Sequence, residues 1–223
     1  MEVQPRPTSP VHPVLWLIVG TMLLIHLLPM VAEMGLAGPK FSGLALQYRY
    51  GFYTGYGAES WTELPVLFWT SFITHAFLHG SWLHFGMNAA VFLALGHRIE
   101  QVAGLGAVLI VFFVSAIAGA LAFSLITEGP AVLVGASGGI FGQLGIVVAW
   151  RARLLQAEGR SRAPIWRLIG GLAAINALMA VGLSGMGDGA NPLGGQLGWE
   201  AHLGGFVAGW LLALVIWPRG WRR

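Results

Sequence analysis

The sequence predicts an all-α membrane protein with six transmembrane helices and a long first outward loop. The first supporting observation is composition: 56% of the 223 residues are hydrophobic and only 9% are charged. Soluble domains carry about a quarter charged residues, so this deficit indicates lipid as the solvent. The second is uncharged runs such as 104–127 and 168–187, which are long enough to cross a bilayer at about 1.5 Å per residue.

The predicted spans follow one another along the chain, with polar connections between them. The first is interrupted only by His26, and five further apolar segments complete the set. The spans are 14–32, 83–99, 104–127, 137–150, 168–187 and 201–217. They define one six-helix domain over residues 14–218, with short terminal tails at 1–13 and 219–223.

The charged residues predict how this bundle is oriented. Ten of the twelve Lys and Arg residues fall in the N-terminal tail, the second and fourth connections or the C-terminal tail. The two exceptions, Lys40 and Arg49, lie on the other side. Because positive residues mark cytoplasmic segments, both termini are predicted to be cytoplasmic. This distribution explains the net charge of +3 better than a nucleic-acid partner does. The compact six-helix form favours a bacterial inner (plasma) membrane.

Two outward connections stand out. The first, residues 33–82, is too long for a simple turn. Its second half has apolar residues at helical spacing with polar ones between them, which predicts a helix lying in the membrane interface. These apolar residues are Leu67, Phe68, Phe72, Ile73 and Phe77. The last connection, 184–200, has six glycines and one proline, which is typical of a surface loop and compatible with a flexible lid.

Polar side chains on three of the spans fall at a similar depth. Counting back from the arginines at the cytoplasmic edge puts them about 15 to 25 Å above it, in the outer half of the bilayer. The four residues of this layer are His84, Asn88, Ser137 and His202. Polar groups at this depth are costly unless they pair or face water, so the layer predicts a functional site. A lone histidine such as His26 is more typical of a structural residue.

Ser137 and His202 are a candidate nucleophile and base. A serine hydroxyl needs a neighbouring base to take its proton, and imidazole suits that task near neutral pH. A turn that places Ser137 at a helix N-terminus favours a developing oxyanion, with His84 and Asn88 as additional donors. Small residues allow the two helices to approach, although helix packing alone accounts for them equally well. These residues are Gly138 and Gly142 on one span, and Ala201, Gly205 and Gly209 on the other.

The sequence supports other site chemistries less well. The chain has no cysteine, which excludes thiolate catalysis and cysteine–zinc sites. His75 and His79 have the i, i+4 spacing of metal ligands, but no HExxH motif is present, and Glu59 and Glu63 are the nearest carboxylates. A transporter is disfavoured because the predicted spans carry no carboxylate to couple a proton or cation.

Three motifs make the chain resemble the rhomboid intramembrane serine proteases. HGSWLHFGMN at 79–88 matches H-x4-H-x3-N, and GASG at 135–138 matches G-x-S-G. AHLGGFVAG at 201–209 matches the A-H-x-x-G-x-x-x-G of the family's last helix. The resemblance covers about residues 79 to 209 and has its motifs in the family's order. It departs from the family at Trp69-Thr70, where rhomboids often have Trp-Arg.

The resemblance implies that Ser137 is the nucleophile and His202 the general base of a dyad without an acidic third member. It implies an oxyanion hole of His84, Asn88 and the Ser137 backbone amide, in a site that opens to the outer side. Structural or packing roles are implied for His79, Gly135, Gly138, Gly205 and Gly209. The implied substrates are transmembrane segments of other membrane proteins, cut without a cofactor or metal. The alternative is a catalytically silent rhomboid-like protein that only binds membrane helices.

Overall fold

The computed structural model describes residues 10–55, 66–184 and 198–218, which fold mainly into helices. These residues form eight α-helices. In chain order they are α1 (Pro13–Glu33), α2 (Gly43–Tyr50), α3 (Val66–Thr74), α4 (Trp82–Ala103), α5 (Leu105–Ile126), α6 (Ser137–Ala157), α7 (Ala163–Ser184) and α8 (Trp199–Leu212). The six long predicted segments correspond to α1 and α4 to α8. By length and composition, α1 and α5 are long and apolar enough to cross a membrane. That these two helices and the other four span a membrane stays a prediction.

Helices α4 and α6 extend beyond the apolar runs that predicted them. α4 continues past Arg98 and α6 past Arg151, each by more than one turn. Shortly after each helix the backbone adopts a positive φ, 93° at Gly104 and 66° at Gly159. Glycine tolerates this conformation, which commonly ends a helix. The helices therefore end near these glycines, beyond the arginines at which the apolar runs stop.

Helix α6 is the centre of the bundle. Its side chains are buried or half-buried from Ser137 to Trp150, and it packs against α4, α5 and α8. The surrounding helices each expose large apolar side chains on an outer face, such as Trp16 on α1 and Leu203 on α8. Such an apolar outer face suits a helix that contacts lipid. Ser137 therefore begins a helix that the others enclose.

Helices α6 and α8 meet backbone to backbone. A Cβ atom at Gly205 would overlap the carbonyl oxygen of Gly138, and one at Gly209 would overlap that of Gly142. Any larger residue at 205 or 209 would force the helices apart, because packed interiors have no space to absorb it. The two helices therefore cross at small residues that the sequence predicted to lie on their facing surfaces.

The first connection carries structure of its own. Besides α2 and α3 it includes a 3-10 helix over His75–Phe77 and a strand β1 (Phe52–Tyr53). The helix predicted in its second half is confirmed as α3, while its placement in the membrane interface stays a prediction. Phe68 and Phe72 of α3 pack with Phe52 in a buried cluster that includes Ala201 of α8. The connection is therefore anchored on the bundle.

Strand β1 pairs antiparallel with β2 (Val132–Leu133), which lies shortly before α6. An all-helical prediction missed this pairing because two residues per strand are too few to show an alternating pattern. The predicted lid or surface loop at 184–200 lies mostly outside the described residues, as do most of the two terminal tails.

Candidate active site

The segment before α6 delivers Ser137 as the first residue of that helix. Gly135 has a φ of 120°, a conformation that favours glycine. The segment is anchored twice: the Gly135 N–H donates to the His75 carbonyl at 2.9 Å, and Leu133 pairs with Phe52. The first N–H groups of an α-helix have no acceptor within the helix. The backbone around Ser137 is therefore suited to hold a developing negative charge.

His84 and Asn88, one turn apart on α4, lie beside this segment. A Cβ atom at Gly135 would be 2.7 Å from Nε2 of His84 and 3.7 Å from Nδ2 of Asn88. The absence of a side chain at 135 thus makes room for the His84 imidazole. Asn88 is only 7% exposed, and its Nδ2 has no hydrogen-bond partner among the described residues. Both donors that the sequence assigns to an oxyanion hole lie next to the backbone that leads into Ser137.

The imidazole of His202, on α8, is buried and held by two contacts. Its ring stacks on Phe141 of α6, with 4.2 Å between centroids and 7° between planes. Its Nδ1 lies 2.6 Å from Oδ1 of Asn176 on α7. Phe141 is one turn after Ser137, and residues one turn apart lie on the same face of a helix. The imidazole therefore packs on the face of α6 that also carries Ser137.

The backbones next to Ser137 and His202 are also in contact. A Cβ atom at Gly138 would be 3.5 Å from the carbonyl oxygen of Ala201, and one at Gly119 of α5 would be 2.8 Å from the same oxygen. Residue 138 follows the serine and residue 201 precedes the histidine. The four residues of the predicted polar layer thus gather around the start of α6.

His79 lies beside this group and packs against it. Its ring centroid is 5.1 Å from that of His84 and 6.4 Å from that of His26 on α1. Burial, with a smaller contribution from His84 and His26, lowers the pKa of His79 to about 3. A neutral His79 therefore links α1, the first connection and α4 through packing.

His75, which was considered with His79 as a pair of metal ligands, has a different set of partners. Its Nδ1 donates to the Ser71 carbonyl at 2.8 Å, and its own carbonyl accepts from Gly135. Burial lowers the pKa of His75 to about 4. The hydrogen bonds of His75 therefore connect α3 to the segment before Ser137.

A cavity of about 510 Å³ lies beside His202, between α6, α7 and α8. Its walls are mainly apolar and also include Asn176 and His202. Six of the apolar lining residues are Phe141, Ile169, Leu172, Trp199, Leu203 and Phe206. Phe141 and Asn176 were not predicted from the sequence as neighbours of His202. The lone amide in the otherwise apolar run 168–187 was the signal that could have identified Asn176.

The fold and the site together define a mostly helical protein of apolar helices, with a serine and an imidazole on neighbouring helices at its centre. The family model for the rhomboid domain matches residues 67–219, more than half of the chain, so the protein belongs to the rhomboid family. Rhomboid-domain proteins are integral membrane proteins, and the family includes serine intramembrane proteases.

One relative is RHOMBOID-like protein 5 of Arabidopsis thaliana, to which the chain is 29% identical over 146 residues. The alignment covers 65% of this chain and 43% of the relative, so the chain matches less than half of that protein. Residues before the family match belong to the same core, because Leu15 and Met22 of α1 are buried in one cluster with Phe92 and Ile99 of α4.

Proposed function

We propose that the protein is an intramembrane serine endopeptidase that hydrolyses peptide bonds in or near transmembrane segments of other membrane proteins. Ser137 is the nucleophile and His202 the general base. The observation that carries this proposal is the placement of the His202 imidazole, which stacks on Phe141 one turn after Ser137. Because Phe141 and Ser137 are one turn apart on α6, a base stacked on Phe141 is on the side of the helix from which it can approach the serine hydroxyl.

The proposed reaction uses these residues in the following order. The Ser137 Oγ attacks the carbonyl carbon of the scissile bond while His202 takes the hydroxyl proton. The resulting oxyanion accepts hydrogen bonds from the Ser137 N–H, His84 and Asn88. His202 then gives its proton to the leaving amine as the C–N bond breaks. A water molecule attacks the acyl-enzyme, His202 takes one of its protons and returns it to Ser137, and the new carboxyl end leaves.

The cavity beside His202 supports a membrane-embedded substrate. Its mainly apolar walls, formed by α6, α7 and α8, suit the side chains of a transmembrane segment better than those of a polar peptide. A helical substrate hides its carbonyl groups in its own hydrogen bonds. We therefore expect cleavage where the substrate helix unwinds easily, so that a carbonyl group can reach Ser137.

The positions of the charges support an orientation for the whole domain. Six spans with both termini in the cytoplasm put the start of α6, and with it the site, toward the outer side of the membrane. We propose a bacterial inner membrane as the location. The partners are then the lipid bilayer and membrane-protein substrates, and nucleic acid is not among them.

Labelling with a fluorophosphonate probe in detergent tests the proposed activity. We expect the wild-type protein to be labelled at Ser137, and Ser137→Ala and His202→Ala to lose the label while they stay folded. Incubation with a panel of single-pass membrane proteins then identifies cleavable sequences. A folded wild-type protein that neither reacts with the probe nor cleaves any of them contradicts the proposal and favours a silent binder of membrane helices.

A further inference from the structure

We propose that Asn176 is a positioning residue for His202, which keeps the imidazole in the tautomer whose Nε2 lone pair is free to accept the Ser137 proton. The proposal rests on the proposed protease function. The sequence motifs imply a catalytic dyad of Ser137 and His202. The proposal adds the uncharged Asn176 amide on α7 as a third residue of the site. Three interatomic contacts support it, two made by the Asn176 amide and one by the His202 ring with Phe141.

The first step concerns the orientation of the Asn176 amide. Its Nδ2 lies 2.9 Å from the carbonyl oxygen of Leu172, one turn earlier on α7. A carbonyl oxygen only accepts hydrogen bonds, so the NH2 group and not the oxygen must face Leu172. The amide oxygen of Asn176 therefore faces His202, and exchange of the two amide atoms would bring two acceptors together.

The second step concerns the proton on His202. Its Nδ1 lies 2.6 Å from the Asn176 oxygen, and that oxygen has no proton to donate. Nδ1 must therefore carry the hydrogen. A neutral imidazole has one N–H, which leaves Nε2 with a free lone pair. This is the tautomer that a general base needs, because the other tautomer would present an N–H to the serine hydroxyl.

The third step concerns the ring plane. Stacking on Phe141 holds the His202 ring parallel to the phenyl ring, and the hydrogen bond to Asn176 prevents rotation within that plane. Together they leave the imidazole one orientation. An amide is also better suited to this apolar cavity than a carboxylate, since a buried charge without full compensation is costly. Asn176 thus orients the base without placing a charge among apolar helices.

A merely structural role is the competing explanation, since amide side chains often join helices in membranes. Three variants separate the two. Asn176→Leu removes the acceptor at similar size, and Asn176→Asp keeps an acceptor and adds a charge. Ile175→Ala changes the adjacent, exposed position on α7 as a matched control. Thermal unfolding of each variant monitors folding.

Kinetics with a cleavable membrane substrate give the first readout. We expect Asn176→Leu to lower kcat about 10- to 100-fold with KM changed less than about twofold, because the base loses its orientation while the cavity keeps its shape. Asn176→Asp should recover most of kcat and move the acid limb of the kcat–pH profile to higher pH, because a carboxylate stabilises the imidazolium. Ile175→Ala should match the wild type. An unchanged kcat in a folded Asn176→Leu protein would overturn the proposal.

Nitrogen-15 NMR of the imidazoles gives a readout that needs no active enzyme. The protein has seven histidines, and His202→Gln identifies the signals of His202. We expect wild-type His202 to be protonated at Nδ1 near neutral pH and Asn176→Leu to show a mixture of tautomers. An Nε2–H tautomer in the wild type would overturn the proposal even if every variant misfolds. Absent probe labelling or cleavage by the wild type would instead refute the protease function, while the spectrum still tests the Asn176 contact.

Discussion

Gly205 of α8 lies directly against the carbonyl oxygen of Gly138, the residue that follows Ser137. This contact sets the separation of α6 and α8 one turn from His202. Gly205→Val is expected to push the helices apart, lower the thermal unfolding temperature by several degrees and reduce kcat/KM on the order of 100-fold, because a misplacement of about 1 Å is enough for such a loss. Differential scanning fluorimetry and cleavage kinetics measure the two effects.

Gly106→Ala on α5 is the matched control for this substitution. A Cβ atom at Gly106 would meet nothing within 4 Å, so the helix gains a better helix former without a clash. We expect unchanged activity and a gain in the free energy of unfolding of up to about 1 kcal/mol. If Gly205→Val were as active as Gly106→Ala, the helix crossing would not determine the geometry of the site.

Gly135→Ala tests whether the site needs the space beside residue 135 for the His84 imidazole. The new methyl group would meet Nε2 of His84 at 2.7 Å, and alanine is also strained at a φ of 120°. We expect kcat to fall more than 10-fold with a smaller change in KM, because in the proposed mechanism His84 donates to the oxyanion of the transition state. Gly129→Ala, at a φ of 76° and with nothing within 4 Å, introduces a smaller backbone strain and no clash. Equal losses in both variants would argue against a role for His84.

The features that follow from spacing along one segment could be predicted from the sequence. A helix was expected to begin at Ser137, and α6 begins there. Glycines four residues apart were expected to face each other, and the Gly205 and Gly138 backbones are in contact. Both expectations depend on the helical repeat, which a single sequence displays.

The features that depend on where distant segments meet could not be predicted. Asn176 reaches His202 only because α7 and α8 come together around the cavity. The spacing of residues within either helix cannot predict a contact between the two. The pairing of Phe52 with Leu133 joins two segments that are far apart in sequence through strands of two residues each. Such short strands lack the alternation by which strands are recognised.

The burial of His75 predicts how stability depends on pH. Its pKa in the folded protein is about 4, below the usual 6.5, because burial disfavours the charged ring. The unfolded chain then binds the proton more readily, so stability is full above pH 6.5 and falls as the pH drops toward 4. One such group costs up to about 1.4 kcal/mol per pH unit within that window.

Thermal unfolding between pH 7.5 and 4.5 measures this dependence. His75→Asn cannot titrate, and its Nδ2 can replace the His75 Nδ1 as donor to the Ser71 carbonyl. It should flatten the fall in unfolding temperature below pH 6.5 and leave the pH dependence above 6.5 unchanged. A residual slope is expected from His79, whose pKa burial also lowers, to about 3. A variant with the full wild-type slope would show that His75 is not the titrating group.

Gln143 predicts a stabilising substitution. Its side chain on α6 is fully buried, and neither amide atom has a hydrogen-bond partner among the described residues. An unsatisfied buried polar group costs about 1 to 3 kcal/mol, so Gln143→Met, of similar length and without the amide, should raise the unfolding temperature. Gln101→Met, at an exposed position on α4, should change the free energy of unfolding by less than about 0.5 kcal/mol. A loss of stability in Gln143→Met would mean that the amide is satisfied in the membrane.

The absence of cysteine from the chain allows the proposed topology to be tested with single-cysteine variants. Lys40 and Glu128 are exposed in connections predicted to face outward, and Arg160 is exposed in a connection predicted to be cytoplasmic. With a membrane-impermeant maleimide added to intact cells, Lys40→Cys and Glu128→Cys should react, and Arg160→Cys should react only after the membrane is opened. This pattern requires that α4 and α5 each cross the membrane, so that the chain returns to the outer side before α6. It also requires that α6 crosses the membrane to the cytoplasmic side, as in the six-span arrangement. Labelling of all three from outside would contradict that arrangement, and with it a site at the start of α6 that faces outward.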